Sequence, residues 1–403
     1  MYCTRKISKD LFYVGCDDYK IDLFESTLNI NHGVSYNSYI ILDDKTCLFD
    51  TADQDVSRLF LENVEHVLGK RKLDYLVVHH MEPDHCYNIK EVLLRYPDVK
   101  IVSNEKVFEF MKNFFPTLNI ERNKKVVKEG DKLKLGHHTL QFVFTPMVHW
   151  PEVMMSFDID TGTLFSADAF GSFNTLDGNL YSSDVDYDKE FLSSAREYYT
   201  NIVGKYGVQV QAAFKKLDPG KIKLILPLHG LLWKGEEISY ILDKYIKWST
   251  YTPEDKNVII LFASMYGDNN EVARVLANKL SEKGIKQLKV YDTSRTSMAK
   301  LVGESFRVSN IVLIAPTYNM TIFPSMLSYL DDIMRMNLSN RTFTIIGNGS
   351  WAPVVGKLIK EKLSTNSTLS FTPSELTITS SLKKNDLTTL DTISNEIISS
   401  INK

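Results

Sequence analysis

Short apolar runs separated by polar loops mark the first half of the chain. Tyr39-Ile40-Ile41-Leu42 and Thr46-Cys47-Leu48-Phe49 flank Asp43-Asp44-Lys45, the pattern of a β-hairpin. Residues 73–78 predict a buried strand, and 100–102, 140–144, 163–165 and 223–226 predict further strands. Between them, Val56, Leu59, Phe60, Val64 and Val67 fall on one helical face, so 56–68 reads as an amphipathic helix. Residues 191–214 read as one or two helices and 236–248 as another.

A polar stretch containing Pro253, residues 249–256, then interrupts the pattern and reads as a linker. After it the rhythm becomes strand–helix alternation: strands over 258–262, 288–291, 311–315 and 342–346, with a helix over 271–280. That alternation predicts a doubly wound parallel sheet. The charge-free run 308–330 has the length of a membrane span, but Pro316, Asn319 and Pro324 make it strand–loop–helix instead. The Ser/Thr-rich stretch 364–381 reads as loop. The division expected is therefore 1–251 and 252–403.

Composition narrows the class. With 403 residues, 43% apolar and 24% charged, the chain is not collagen-like, disulfide-dense or wholly disordered. Forty-seven Lys and Arg against 50 Asp and Glu give no overall pull toward nucleic acid or anionic membranes, so neither is an expected partner. The four cysteines, Cys3, Cys16, Cys47 and Cys86, form no CxxC pair. This argues against thiolate-ligated zinc or iron–sulfur sites and fits a reducing, cytoplasmic setting. The first residues carry no apolar segment of the kind a secretory signal needs.

Chemistry concentrates at predicted strand exits. After 76–78 comes His79-His80-Met81-Glu82-Pro83-Asp84-His85, an H-x-E-x-D-H pattern from His80. Four ligand-type side chains in six residues rarely serve packing alone, and alternation along a loop can feed two adjacent metals. His149, Asp168 and His229 follow three later strands. In isolation each reads as a loop residue; beside the first cluster they complete a set of four His and three carboxylates. Such a set suits iron, manganese or zinc, and a carboxylate such as Asp168 can bridge two ions. His79 reads as a residue behind the ligands or in the packing, and His32, His66, His137 and His138 as surface or loop residues.

In the second half, Ala263-Ser264-Met265-Tyr266-Gly267-Asp268-Asn269-Asn270 lies between a strand and a helix. Such a turn gathers backbone N–H groups around a phosphate, with Ser264 and Asn269 as side-chain donors. There is no GxGxxG and no Walker lysine, which disfavours dinucleotide and ATP sites. Pro316-Thr317-Tyr318-Asn319-Met320 and Gly347-Asn348-Gly349-Ser350-Trp351 also follow strands, where open α/β sheets bind ligands. Three such loops suit one planar cofactor, with Tyr318 or Trp351 as a stacking face.

The ligand set resembles the metallo-β-lactamase superfamily, with Glu82 in place of the middle His of H-x-H-x-D-H. That exchange, with the strings Thr145-Pro146-Met147-Val148-His149-Trp150-Pro151-Glu152 and Phe165-Ser166-Ala167-Asp168-Ala169-Phe170-Gly171, resembles the flavodiiron proteins. The second half resembles a flavodoxin, whose phosphate loop has the form S/T-x-T/Y-G-x-T; Asn269 replaces the final Thr, and Asp268 is expected to turn away from the phosphate. The two resemblances occur in the order of a flavodiiron protein. They imply a metallo-β-lactamase-like αββα sandwich followed by a flavodoxin-like doubly wound sheet.

The resemblance further implies two non-haem irons. His80, Glu82 and His149 would bind the one nearer the flavin, Asp84, His85 and His229 the other, and Asp168 would bridge them, with no catalytic residue beyond the ligands. It implies FMN held by Ser264, Met265, Tyr266, Gly267, Asp268 and Asn269, by Pro316, Thr317, Tyr318 and Asn319, and by Gly347, Asn348, Gly349, Ser350 and Trp351. The implied activity is reduction of dioxygen to water, of nitric oxide to nitrous oxide, or both, as protection against oxygen or nitrosative stress. A head-to-tail homodimer or a dimer of dimers is implied. With no CxxC pair for a fused rubredoxin module, a separate donor such as rubredoxin is expected. His79 departs from the Asn common among relatives. Two competing readings are a zinc hydrolase with a flavodoxin-like interaction domain, which Glu82 disfavours, and an oxygen or nitric oxide sensor.

Overall fold

A computed structural model describes residues 2–402. The chain divides into two compact units: the residues up to Tyr199 together with Tyr206–Tyr245, and Thr200–Lys205 together with the chain from Ile246.

The first unit holds two main sheets. One runs in the order Arg5–Lys6, Leu11–Tyr13, Tyr39–Leu42, Thr46–Phe49, Tyr75–Val77, Lys100–Ser103 and Lys124–Val126. The other is formed in chain order by Lys132–Lys134, Thr139–Phe144, Met154–Asp158, Thr163–Phe165, Leu224–Leu226 and Trp233–Lys234. Their inner faces meet: the Phe49 and Phe165 rings stack at 3.8 Å between centroids, and Tyr39 meets Phe165 edge-on. The hairpin around Asp43–Lys45 forms as its alternation demands. Tyr75–Val77 lies parallel to both neighbours in the middle of its sheet, which explains its unbroken apolar character. Residues 191–214 become Leu192–Tyr198 and Gly207–Phe214, joined by the wide turn Tyr199–Val203 and a short tight turn.

The second unit is a parallel sheet in the order Lys289–Asp292, Asp255–Phe262, Val308–Tyr318, Thr342–Asn348, with Ser370–Phe371 and Leu376–Ile378 both against the last. This is the doubly wound order of the flavodoxin type. On one face, Val272 and Leu276 of the helix Asp268–Glu282 and Ile393 and Ile397 of Lys384–Ile401 close over Ile260, Val312 and Ile346. The charge-free run becomes the strand Val308–Tyr318, a short return strand Thr321–Ile322 and the helix Pro324–Arg335. Among the described residues no helix is long and apolar enough to cross a membrane.

Two sequence expectations change. The stretch 364–381 is not all loop, because Ser370–Phe371 and Leu376–Ile378 complete the sheet; runs of two and three residues are too short to show alternation. His138 is not a surface residue. It is buried, with Nδ1 2.7 Å from Asp158 Oδ2 and Nε2 3.1 Å from Asp10 Oδ2. The bond to Asp158, stronger than the opposing effect of burial, and the bond to Asp10 hold its pKa up at about 9.

Candidate functional site

Four strand exits build a buried cluster in the first unit. Past Tyr75–Val77 the chain turns at Pro83 into the single helical turn Pro83–Cys86, which carries Asp84 and His85, with Glu82 extended just before it. His149, Asp168 and His229 follow Thr139–Phe144, Thr163–Phe165 and Leu224–Leu226. The turns that aim these side chains are strained: Met147, Ala167 and Phe170 all adopt positive φ without being glycine. Gly230, next to His229, has φ +73°, and a Cβ there would fall 2.2 Å from Ser172 Oγ.

The seven side chains form two sets that share Asp168. In one, His80 Nε2 and His149 Nε2 are 3.3 Å apart, and Glu82 Oε2 lies 3.3 and 3.0 Å from them. Asp168 Oδ2 is 3.4 Å from His80 Nε2 and 3.6 Å from His149 Nε2. In the other, His85 Nε2 and His229 Nε2 are 3.0 Å apart, with Asp84 Oδ2 3.4 and 3.2 Å from them. Asp168 Oδ1 faces this set at 3.2 and 3.7 Å.

The donor geometry fits two cations. Donors held about 2.1 Å from a common ion at angles of about 90–110° lie about 3.0–3.4 Å apart, close to these edges. Both carboxylate oxygens of Asp84 and of Asp168 are buried without a hydrogen-bond partner. A buried anion in that state costs several kcal/mol unless a charge is supplied. Within the bare protein, the imidazoles supply it. Burial drives His85 down, but Asp84 and Asp168 outweigh it and hold the ring up at about 9. Burial likewise opposes protonation of His80, yet Asp168, Glu152 and Glu82 hold it well above its ordinary value. Burial would raise Glu82 and Asp168, but the surrounding imidazoles hold both below the usual carboxylate range.

Residues that the sequence does not single out hold the candidate ligands from behind. Glu152 Oε1 lies 2.7 Å from His80 Nδ1 and also accepts the Met81 N–H at 3.0 Å. His229 Nδ1 donates to the Ser35 carbonyl at 2.8 Å. Both bonds fix the tautomer that turns Nε2 inward. Aromatic rings close the surroundings: Phe24, Tyr36 and Tyr198 against His229, and Trp150 edge-on to His80 at 5.1 Å.

The second unit offers an open cleft at the carboxyl ends of its strands. Its walls carry Met265, Tyr266, Asp268 and Asn269 from one loop, Pro316, Thr317 and Asn319 from the next, and Asn348, Gly349, Ser350 and Trp351 from the third. Met320, the last residue of the second expected loop, also lines it, as do Ala352 and Ser380, which lie outside the expected loops. Ser264, Gly267, Tyr318 and Gly347 do not. Ser264 Oγ instead accepts the Gly267 N–H at 3.0 Å, Tyr318 pairs with Thr321, and Gly347 abuts Gly356. Asn269 is turned inward: its amide donates to the Ala263 carbonyl and accepts from Asn348, whose amide also donates to Ser380 O and accepts the Ser380 N–H. Gly267, at φ +107°, begins the helix Asp268–Glu282 without a side-chain cap, leaving first-turn N–H groups for an anion. Trp351 is 82% exposed, so the described residues leave most of its ring uncovered.

Residues 34–230 match a family model described as ODP family beta lactamase. An uncharacterized protein of Methanocaldococcus jannaschii is 30% identical over 362 residues, 88% of each chain. The anaerobic nitric oxide reductase flavorubredoxin of Aeromonas hydrophila is 28% identical over 86% of this chain and 70% of its own. The solved rubredoxin oxygen:oxidoreductase of Desulfovibrio gigas superposes with a TM-score of 0.91 at 26% identity, covering 99% of both chains. The chain belongs to the flavodiiron protein family. The αββα sandwich and the flavodoxin-like sheet are thus the two folds of a flavodiiron protein.

Proposed function

We propose that this flavodiiron protein is an oxidoreductase that reduces dioxygen to water, nitric oxide to nitrous oxide, or both, and so protects against oxygen or nitrosative stress. The observation carrying this reading is the pair of four-residue sets sharing Asp168, in which the buried carboxylates of Asp84 and Asp168 have no hydrogen-bond partner and face only imidazole nitrogens. On this reading His80, Glu82 and His149 hold one iron, Asp84, His85 and His229 the other, and Asp168 both. The loops of the second unit hold FMN, which makes 1–251 the diiron domain and 252–403 the flavin domain. Bound there, the irons would supply the redox chemistry for a diatomic substrate, and FMN would supply electrons one at a time.

The chain's own part is to preset the site. Glu152 and Ser35 engage Nδ1 of His80 and His229, which leaves Nε2 as the nitrogen that faces a cation. Asp168 divides its two oxygens between the sets, which ties their spacing to one side chain. Phe24, Tyr36, Tyr198 and Trp150 limit water around the imidazoles. Electrons would come from a separate rubredoxin-like donor, and a head-to-tail homodimer would bring the FMN of one chain to the irons of the other. Steady-state consumption of oxygen and of nitric oxide with reduced rubredoxin or a chemical reductant tests the proposal. Turnover of either substrate by protein containing iron and FMN supports it. Zinc without flavin would point to a hydrolase, and iron with FMN but negligible turnover to a sensor; either contradicts it.

A further inference from the structure

We infer that His79 is a positioning residue for the metal centre, clamping together the two chain segments that carry His80 and His149; the inference rests on the metal-binding reading above. The Asp50 carboxylate accepts the His79 backbone N–H at 2.7 Å and sits 2.5 Å from Nδ1. On the far side of the ring, Nε2 is 2.7 Å from Ser156 Oγ. A neutral imidazole satisfies every contact, with Nδ1–H donating to Asp50 and the Ser156 hydroxyl donating to Nε2. The ring lies parallel to Phe49 and Phe165, and the His79 carbonyl accepts the Met154 N–H at 3.2 Å.

These bonds join three elements behind the ligands. Asp50 follows Thr46–Phe49, His79 precedes His80, and Ser156 lies in Met154–Asp158, the strand entered from the loop that holds His149 and Glu152. Asp50 itself sits at φ +53°, a conformation that the paired bonds to His79 help sustain. The connectivity Asp–His–Ser matches a nucleophile triad. All three side chains are at most 1% exposed, however, so no substrate reaches the serine and the trio holds geometry. The clamp spans the segment running from His80 to His85 and the segment of His149, so the two sets differ in their last member: His149 lies in a clamped segment, whereas His229 comes from the exit of Leu224–Leu226. The set containing His80 and His149 therefore depends on His79 more than the set containing His85 and His229.

The test is a Co²⁺ titration of the full chain after removal of its metal, read by visible absorption alongside thermal unfolding. His79→Leu is expected to weaken one of two Co²⁺ equivalents by roughly 10–100-fold and alter its spectrum, leaving the other nearly unchanged. The amide of His79→Asn retains a donor toward Asp50 and loses Ser156, whereas His79→Gln does the reverse, so both fall between wild type and His79→Leu. Ser156→Ala, which removes one oxygen, should match His79→Asn and serves if His79→Leu does not fold. Folded variants with a lowered Tm but wild-type Co²⁺ affinities and spectra overturn the inference alone. A wild-type chain that binds no Co²⁺ overturns it together with the metal-binding reading.

Discussion

The candidate metal cluster of the first unit and the cleft of the second are built from different materials. In the cluster the chemistry resides in side chains: seven imidazoles and carboxylates, each at most 8% exposed, converge from four strand exits and are held from behind by Glu152 and Ser35. In the cleft it resides largely in backbone: an uncapped helix start at Gly267, and Asn319, Met320 and Ser380 at positive φ, with the exposed rings of Tyr266 and Trp351 at the rim. The cluster is preset to a geometry that an ion completes. The cleft is a shaped edge whose remaining wall is the ligand itself.

The largest test of that contrast removes a shared side chain. Asp168→Asn deletes the one charge common to both sets and is expected to lower metal affinity by more than about 100-fold while FMN is retained, read by metal analysis and flavin absorbance. Loss of flavin as well would break the contrast.

A second test separates burial of a histidine from metal binding. His138 lies outside the cluster, and its folded pKa of about 9 exceeds the ordinary value of 6.5. A raised pKa stabilises the fold fully below the unfolded value, and the contribution fades as pH rises from 6.5 through 9. His138→Gln should therefore cost on the order of 3 kcal/mol near pH 6 and little above pH 9 or so, with metal content unchanged, as measured by denaturant unfolding across pH.

Smaller effects belong to the cleft. A Cβ at Gly267 meets nothing within 4 Å, so Gly267→Val acts only through its φ of +107°. At about 1–3 kcal/mol it should weaken FMN by roughly tenfold or more and leave the irons in place, as read by flavin titration. Trp351→Ala removes an exposed ring, worth at most about 1.5 kcal/mol of stacking, and should change FMN affinity by no more than about 13-fold. An effect larger than that of Gly267→Val would show that the cleft, too, depends on its side chains.

The same contrast governs what the sequence discloses. His80, Glu82, Asp84, His85, His149, Asp168 and His229 stand out because ligand chemistry is written in residue type, and strand exits gave their place. Glu152, Ser35 and Asp50 did not stand out, since an acid or a carbonyl behind a ligand looks like any other loop residue until the fold brings it close. In the second unit the alternation revealed the sheet, but not that Ser380 would border the cleft, because its contribution depends on backbone conformation. His138 was misread because a histidine beside a turn gives no sign of the two carboxylates that Asp10 and Asp158 bring from elsewhere in the chain.

The most direct test of the central claim is the metal and flavin content of the purified full chain, determined together by elemental analysis and flavin release. Two irons and one FMN per chain are expected. Zinc without flavin, or a single metal per chain, would contradict that claim.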